Sequence, residues 1–237
     1  MSESPRPPAA RTVAIVPALD EEVTIAATVA GLRPHVDRVI VVDNGSRDRT
    51  AERASAAGAD VVSEPTRGYG RACLAGLARA RALSADVVLF ADGDGSDDPA
   101  DAGELLRARA ASGAAMVLGV RVPGLREPGA MTGPQRFGNW LAPFLLRRLL
   151  GAPFHDMPPL KACDARALER LDLRDTGHGF TIELLIKAHR AGLDVREVPV
   201  RCLCRAGGES KVSGTIRGSV RAGVKIVTTV LAHAGRR

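Results

Sequence analysis

Val87-Val88-Leu89-Phe90-Ala91-Asp92-Gly93-Asp94-Gly95-Ser96-Asp97-Asp98-Pro99 is the stretch on which the fold turns. Its first four residues are apolar, β-branched or aromatic apart from Leu89, and predict a short strand buried on both faces. Carboxylates follow at once, at Asp92, Asp94, Asp97 and Asp98. Packed this closely they repel one another, and such a strand end becomes favourable when a hard cation sits among the oxygens. Mg²⁺ or Mn²⁺ held there would also bridge two phosphates and take up developing negative charge. Gly93 and Gly95 let the backbone pass close to a ligand. The competing explanation is a helix start, with Ser96 or Asp97 as cap and acidic residues favoured by the helix dipole. That explanation suits Asp97 and Asp98, but not Asp92 and Asp94, which precede the cap.

Upstream, the same alternation repeats. Residues 13–16 predict a strand ended by Pro17 and followed by Asp20, Glu21 and Glu22; residues 24–32 have helical spacing. Residues 38–42 predict a second strand, ended by Asp43-Asn44-Gly45-Ser46, and residues 49–57 a helix closed by Gly58. Val61 and Val62 give a third strand, and residues 68–83 an Ala- and Leu-rich helix. Strand and helix in strict alternation imply a parallel sheet with helices on both faces. Ligands of such sheets bind outside the carboxyl ends of the strands, which is where these acidic and Gly-rich segments fall. Asp43 could serve a base or a ribose there; the same residues also suit an Asx turn with Ser46 capping the next helix.

Downstream the pattern loosens. Residues 116–120 predict a strand, 123–134 a Gly- and Pro-rich loop, 140–150 an apolar helix and 155–161 a Pro-containing loop. A short helix (165–171), a strong helix (180–191, ended by Gly192) and a strand (195–200) follow, then a polar loop (207–211) and an amphipathic helix (215–231). Leu141, Leu145 and Leu149 recur at helical spacing beside Phe144, with Arg147 and Arg148 adjacent. This suits a core helix with a basic rim, the reading preferred here, and also an interfacial helix touching a membrane peripherally. Glu183 and Asp156 are the candidate general bases for a hydroxyl acceptor. Glu183 also stands four residues before Lys187, the spacing of a helical ion pair. A phosphate acceptor is already ionised and needs no strong base.

The 237 residues suit one domain over 12–237 behind a disordered lead-in over 1–11, with a donor and metal half (12–120) and an acceptor half (121–237). Aromatics make up only 3%, which argues against the stacking platforms of single-stranded nucleic-acid binders. The net charge of +6 suits solubility or an anionic partner. Residues 1–11 lack the apolar core of a signal peptide, and no stretch is long enough to span a bilayer. Cys73, Cys163, Cys202 and Cys204 form no C-x-x-C pair and read as reduced thiols of a cytoplasmic protein, peripheral at most to the inner face of the membrane.

Taken in order, these motifs resemble the family 2 glycosyltransferases. Val13-Ala14-Ile15-Val16-Pro17-Ala18 with Glu21 and Glu22 is similar to that family's opening strand, with Asp20 where Asn is usual. Asp43-Asn44-Gly45-Ser46 with Asp48 and Thr50, Arg67-Gly68-Tyr69-Gly70, and Asp92-Gly93-Asp94 are similar to its later motifs. So are Gly179-Phe180 with Glu183-Leu184, Glu197-Val198-Pro199-Val200, and Arg205 with Gly207-Gly208 and Ser210-Lys211. The last two look like the polyprenyl-phosphate (dolichol-phosphate) mannosyl- and glucosyltransferases. The segment from Asp156 to Ala162 departs from the family pattern.

The resemblance implies an α/β type A glycosyltransferase fold, Rossmann-like in its first half, and an inverting hexose transfer. The donor would be a nucleotide-diphosphate sugar of GDP-mannose or UDP-glucose type, and the acceptor a polyprenyl phosphate or a small soluble molecule. It implies that Pro17, Ala18, Asp20, Glu21, Asp43, Gly68, Asp92 and Gly93 hold the nucleotide sugar. Asp92 and Asp94 would hold Mg²⁺ or Mn²⁺, Asp94 acting directly in catalysis. Arg205, Ser210 and Lys211 would meet phosphates. The alternative is a metal-dependent sugar nucleotidyltransferase, whose Gly-rich basic loop after the first strand is missing here. A dinucleotide fingerprint fails at Cys73, where a third Gly would be needed.

Overall fold

The computed structural model describes residues 10–205 and residue 228. β1 (Thr12–Ala18), α1 (Ile25–Leu32), β2 (Arg38–Asp43), α2 (Thr50–Ala56), β3 (Asp60–Ser63), α3 (Tyr69–Ala82) and β4 (Val87–Phe90) keep the expected alternation. α4 (Pro99–Ser112), β5 (Met116–Arg126), α5 (Gly133–Leu150), β6 (Lys161–Asp164), α6 (Ala165–Arg170), α7 (Phe180–Arg190) and β7 (Val195–Cys202) follow. The strands form one seven-stranded sheet in the order β3-β2-β1-β4-β6-β5-β7. Among the described residues this is a single α/β domain.

Successive residues of the strands feed opposite cores, because side chains alternate across a sheet. Val13, Ile15, Ile40, Val42, Val88 and Phe90 pack with residues of α3, α5 and α7 on one face. Ala14, Val16, Val39, Val41 and Leu89 pack with α1, α2 and α4 on the other. Each fully buried Ile or Phe in these layers contributes roughly 1.5–3 kcal/mol. Covering both faces explains why the first strands read as unbroken apolar runs.

Several expectations are corrected. The sheet is mostly, not wholly, parallel: β6 runs antiparallel to both β4 and β5. It begins at Lys161, at the end of what reads in sequence as a Pro loop. The expected loop over 123–134 is shorter, covering 127–132, because β5 runs on to Arg126 and α5 begins at Gly133. α4 is capped neither by Ser96 nor by Asp97 but by Asp98, whose side chain accepts the Ala100 N–H ahead of Pro99. Asp97 instead folds back to accept the Asp92 N–H at 2.9 Å. Arg11, assigned to the lead-in, already belongs to the fold, its N–H donating to Asp86. α5 is not a plain core helix: Ala142 and Leu146 are buried, while Phe137, Trp140, Phe144 and Leu149 face outward. The expected polar loop over 207–211 and helix over 215–231 lie outside the described residues, residue 228 apart.

Candidate functional site

Strand order reverses between β1 and β4, and a crevice of about 690 Å³ opens beyond their carboxyl ends. Pro17, Ala18, Asp20 and Glu21 form its β1 side, and Asp92, Gly93 and Asp94 its β4 side. Gly68 and Tyr69 close it from the start of α3, His178 and Thr181 from the start of α7, and Arg205 from beyond β7. Nine of the residues expected at the site therefore do meet: Pro17, Ala18, Asp20, Glu21, Gly68, Asp92, Gly93, Asp94 and Arg205.

The loops are fixed by cross-links between strand ends. Asn44 donates to the carbonyls of Glu64 and Thr66 and accepts the Gly68 N–H at 2.7 Å, so β2 holds the loop that enters α3. Gly68 has φ +155°, and a Cβ there would lie 2.3 Å from the Thr176 carbonyl. Its bareness serves the contact with the 175–179 loop, which also accepts the Gly70 and Arg71 N–H groups. Thr24 donates to the Gly93 carbonyl at 2.8 Å and pins the acidic loop from α1. Leu203 N–H donates to Ser96, which brings the chain after β7 over the same loop.

The acidic loop is electrostatically unbalanced. Burial first, then Asp94 and Asp97, push the Asp92 carboxyl up to about 8. Burial likewise raises Asp97, to about 6. Asp94, 4% exposed, accepts the Ser96 N–H at 2.9 Å and pairs with the Arg205 guanidinium, which also stands 3.9 Å from Glu21. Oxygen donors crowded until one carboxyl holds its proton suit a hard divalent cation. Among the described residues no group of three or more His, Cys, Asp or Glu is arranged to hold a metal. Asp92 and Asp94 supply oxygen donors of the kind that Mg²⁺ or Mn²⁺ takes. Ser96 supplies its backbone N–H to Asp94.

Both candidate bases are occupied elsewhere. Asp156 is gripped by Arg121 through Nε and Nη2, each at 2.8 Å, and also accepts the Arg121 and Met157 N–H groups. Glu183 accepts the Arg174 and Asp175 N–H groups and pairs with Lys187 at 2.7 Å. Burial would raise its pKa, but the Lys187 hydrogen bond and the two backbone donors prevail and hold it low. Neither carboxylate lines the crevice. Asp43 also stands back, its Oδ1 accepting the Ser46 N–H in the Asx turn. Ser210 and Lys211 lie outside the described residues.

Sequence reasoning missed Arg121, Asn139 and His178, all of which line the crevice. Burial lowers the His178 pKa, with Asp175 opposing, so the imidazole is neutral at neutral pH. Arg121 stood one residue past the predicted strand, and only its pairing with Asp156 turns it inward. Cys73, Cys163 and Cys202 are buried and all four cysteines are free.

Residues 13–171 match the family described as Glycosyl transferase family 2. The chain is 39% identical over 208 residues to an uncharacterized glycosyltransferase of Mycobacterium tuberculosis, covering 87% of this chain and 91% of that one. It is 31% identical over 221 residues to the undecaprenyl-phosphate mannosyltransferase of Micrococcus luteus, covering 88% and 90%. Its fold superposes on glucosyl-3-phosphoglycerate synthase of Mycobacterium tuberculosis, solved with Mn²⁺ and UDP-glucose, with a TM-score of 0.74 at 27% identity over 96% of this chain and 80% of that one. The chain belongs to glycosyltransferase family 2 and has the type A glycosyltransferase fold, which sets aside the nucleotidyltransferase alternative.

Proposed function

We propose that this family 2 glycosyltransferase moves a hexose from a nucleotide-diphosphate sugar to a polyprenyl phosphate, with inversion at the anomeric carbon. The observation that carries this reading is the division of charges around one crevice. Arg67, Arg121 and Arg205 line it, while the two carboxylates that could have served as a base are engaged elsewhere. An acceptor that arrives ionised fits such a site, because it needs neither Asp156 nor Glu183 as a base. The same acceptor class is named in the Micrococcus luteus relative.

Asp92 and Asp94 would hold Mg²⁺ or Mn²⁺, which when bound would neutralise charge on the departing diphosphate. Arg205, already at the mouth beside Asp94 and Glu21, would face the diphosphate oxygens. Pro17, Ala18, Asp20, Glu21 and Gly68 would flank the nucleotide, with Asp43 supporting that wall through its turn. Arg121, fixed by Asp156, would orient the acceptor phosphate. One acceptor phosphate oxygen bonds to the anomeric carbon as the bond to the diphosphate breaks. No proton has to leave the acceptor.

Calorimetric titration with UDP and GDP, each with Mn²⁺ and with chelator, tests the donor side. Metal-dependent binding of one nucleotide is expected and names the donor class. Transfer of label from the matching nucleotide sugar to undecaprenyl phosphate tests the acceptor. Folded protein that binds neither nucleotide would overturn the donor reading. Transfer only to a hydroxyl or soluble acceptor would overturn the lipid-phosphate one.

A further inference from the structure

The chain has five Phe, one Tyr and one Trp, and three of these sit on the outer side of α5. Phe137 is 60% exposed, Trp140 56% and Phe144 37%. Their spacing places them in one stripe. Trp140 stacks on Phe144 with ring centroids 5.2 Å apart, and Phe137 lies 5.9 Å from Trp140. The inner side of the helix is separately satisfied, because Ala142 and Leu146 are fully buried in the core. The stripe is therefore not a core face left over; it is a second apolar side. Large exposed apolar surface rimmed by polar residues marks a site of interaction.

The rim says with what. α5 reads GPQRFGNWLAPFLLRRLL, which includes Arg136, Arg147 and Arg148 and no acidic residue. All three arginines are exposed. Aromatic rings flanked by arginines match the headgroup layer of an anionic bilayer, where rings sit at the polar–apolar boundary and guanidinium groups meet lipid phosphates. A second copy of this chain suits the face poorly. A two-fold interface sets the same patch against itself, so the arginines of both copies would be brought together.

Asn139, between Phe137 and Trp140, lines the crevice that holds Asp92 and Asp94. The stripe and the crevice thus share one helix.

We propose that the outer face of α5 docks on an anionic lipid bilayer and sets the crevice at the headgroup layer, where a lipid-borne phosphate can enter. The second clause rests on the proposed lipid-phosphate acceptor. The docking itself stands on the stripe and its charges.

Trp140 is the only tryptophan of the chain, so the protein carries its own reporter. The full chain is titrated with phosphatidylcholine vesicles, with and without phosphatidylglycerol. The expected result is a blue shift of Trp140 emission with anionic vesicles, quenched by brominated acyl chains and weakened by salt. The double variant Phe137→Ser/Phe144→Ser keeps the reporter and should bind about tenfold more weakly or worse. Calorimetric nucleotide binding in the same variant should be unchanged, which also shows that it is folded. Nucleotide binding without vesicle binding would overturn the docking surface alone. Vesicle binding without nucleotide binding would leave the surface standing and overturn the donor reading. Emission already blue-shifted without vesicles would show the stripe covered by the protein itself, or by a second copy if the shift grows with protein concentration. Either of those results overturns the proposal.

Discussion

Asp94 and Asp156 are equally hidden, each 4% exposed, and they serve the two halves of one sheet. Asp156, in the second half, is answered on both oxygens by Arg121, with backbone N–H groups filling the remaining positions. Glu183, 5% exposed, is satisfied in the same way by Lys187 and two N–H groups. Asp94, in the first half, borrows Arg205 from beyond the end of β7 and lies beside Asp92, whose carboxyl is pushed up to about 8. Burial does not separate these carboxylates; the complement of partners does. A carboxylate matched by fixed partners holds the fold together. Asp94, partnered by the Ser96 N–H and Arg205, differs in standing beside a second carboxyl that burial and its neighbours push up, and the proposed metal would take up that crowding.

The sharpest way to break this contrast is to alter one carboxylate of each kind. Asp94→Asn should lower transfer by about a thousandfold, the scale of losing one transition-state charge contact. Its stability should fall by less than that of Asp156→Ala, because losing the charge opposite Arg205 is partly offset by relief of the crowding at Asp92. Wild-type rates in Asp94→Asn would end the metal assignment. Asp156→Ala should do the reverse in emphasis. It strands the Arg121 guanidinium and should cost about 3–5 kcal/mol of stability, read from denaturant midpoints. Unchanged stability with collapsed turnover would return Asp156 to the role of base.

Glu183→Gln asks the same of the third carboxylate, with a smaller effect. The Gln side chain keeps an acceptor for the Arg174 and Asp175 N–H groups but loses the charge opposite Lys187. A loss of roughly 2 kcal/mol is expected at neutral pH. The folded carboxyl is held below the usual glutamate value. Its stabilisation is therefore present above that value and lost as pH falls through the folded one. Wild type and variant should converge in acid, and turnover of the folded variant should persist. A pH-independent gap would show that shape, not charge, makes the difference.

The same contrast explains what was legible in the sequence. β1, β2 and β4 are covered by helices on both faces, so burial alone dictates Val, Ile and Phe, and their ends announce the crevice. β6 escaped because two prolines precede it and it opens on Lys161, a residue that belongs in a strand interior only when three-dimensional partners receive its charge. The partners of Asp156 and Glu183 were half visible. Lys187 stands one helical turn from Glu183 and could be read, whereas Arg121 is 35 residues from Asp156 and could not. The outward stripe of α5 was hidden for a related reason. Leu141, Leu145 and Leu149 suggested which side faces the core, but the packing of Ala142 and Leu146 decides it.

Lys161 joins the two regions and offers the finest test. It is fully buried, and Phe90 of β4 and Leu118 of β5 are its partners across β6. Its ammonium donates to the carbonyls of Pro158 and Pro159 and sits 5.1 Å from the centre of the Phe90 ring. Burial lowers its pKa, while Cys73, Cys163, Asp92 and Asp97 pull the other way. It thus ties the 157–159 loop, whose Met157 and Pro159 line the crevice on the side proposed for the acceptor, to the strand that leads to Asp92. Lys161→Met keeps the volume and removes a cation that was costly to bury, so stability should change by less than about 1 kcal/mol. The loop, freed from its two carbonyl contacts, should raise the acceptor KM several-fold while nucleotide affinity stays put. Equal weakening of donor and acceptor would place Lys161 with the acidic strand end, as a counter-charge for Asp92. A stability loss as large as that of Asp156→Ala would make it one more fixed partner of the fold.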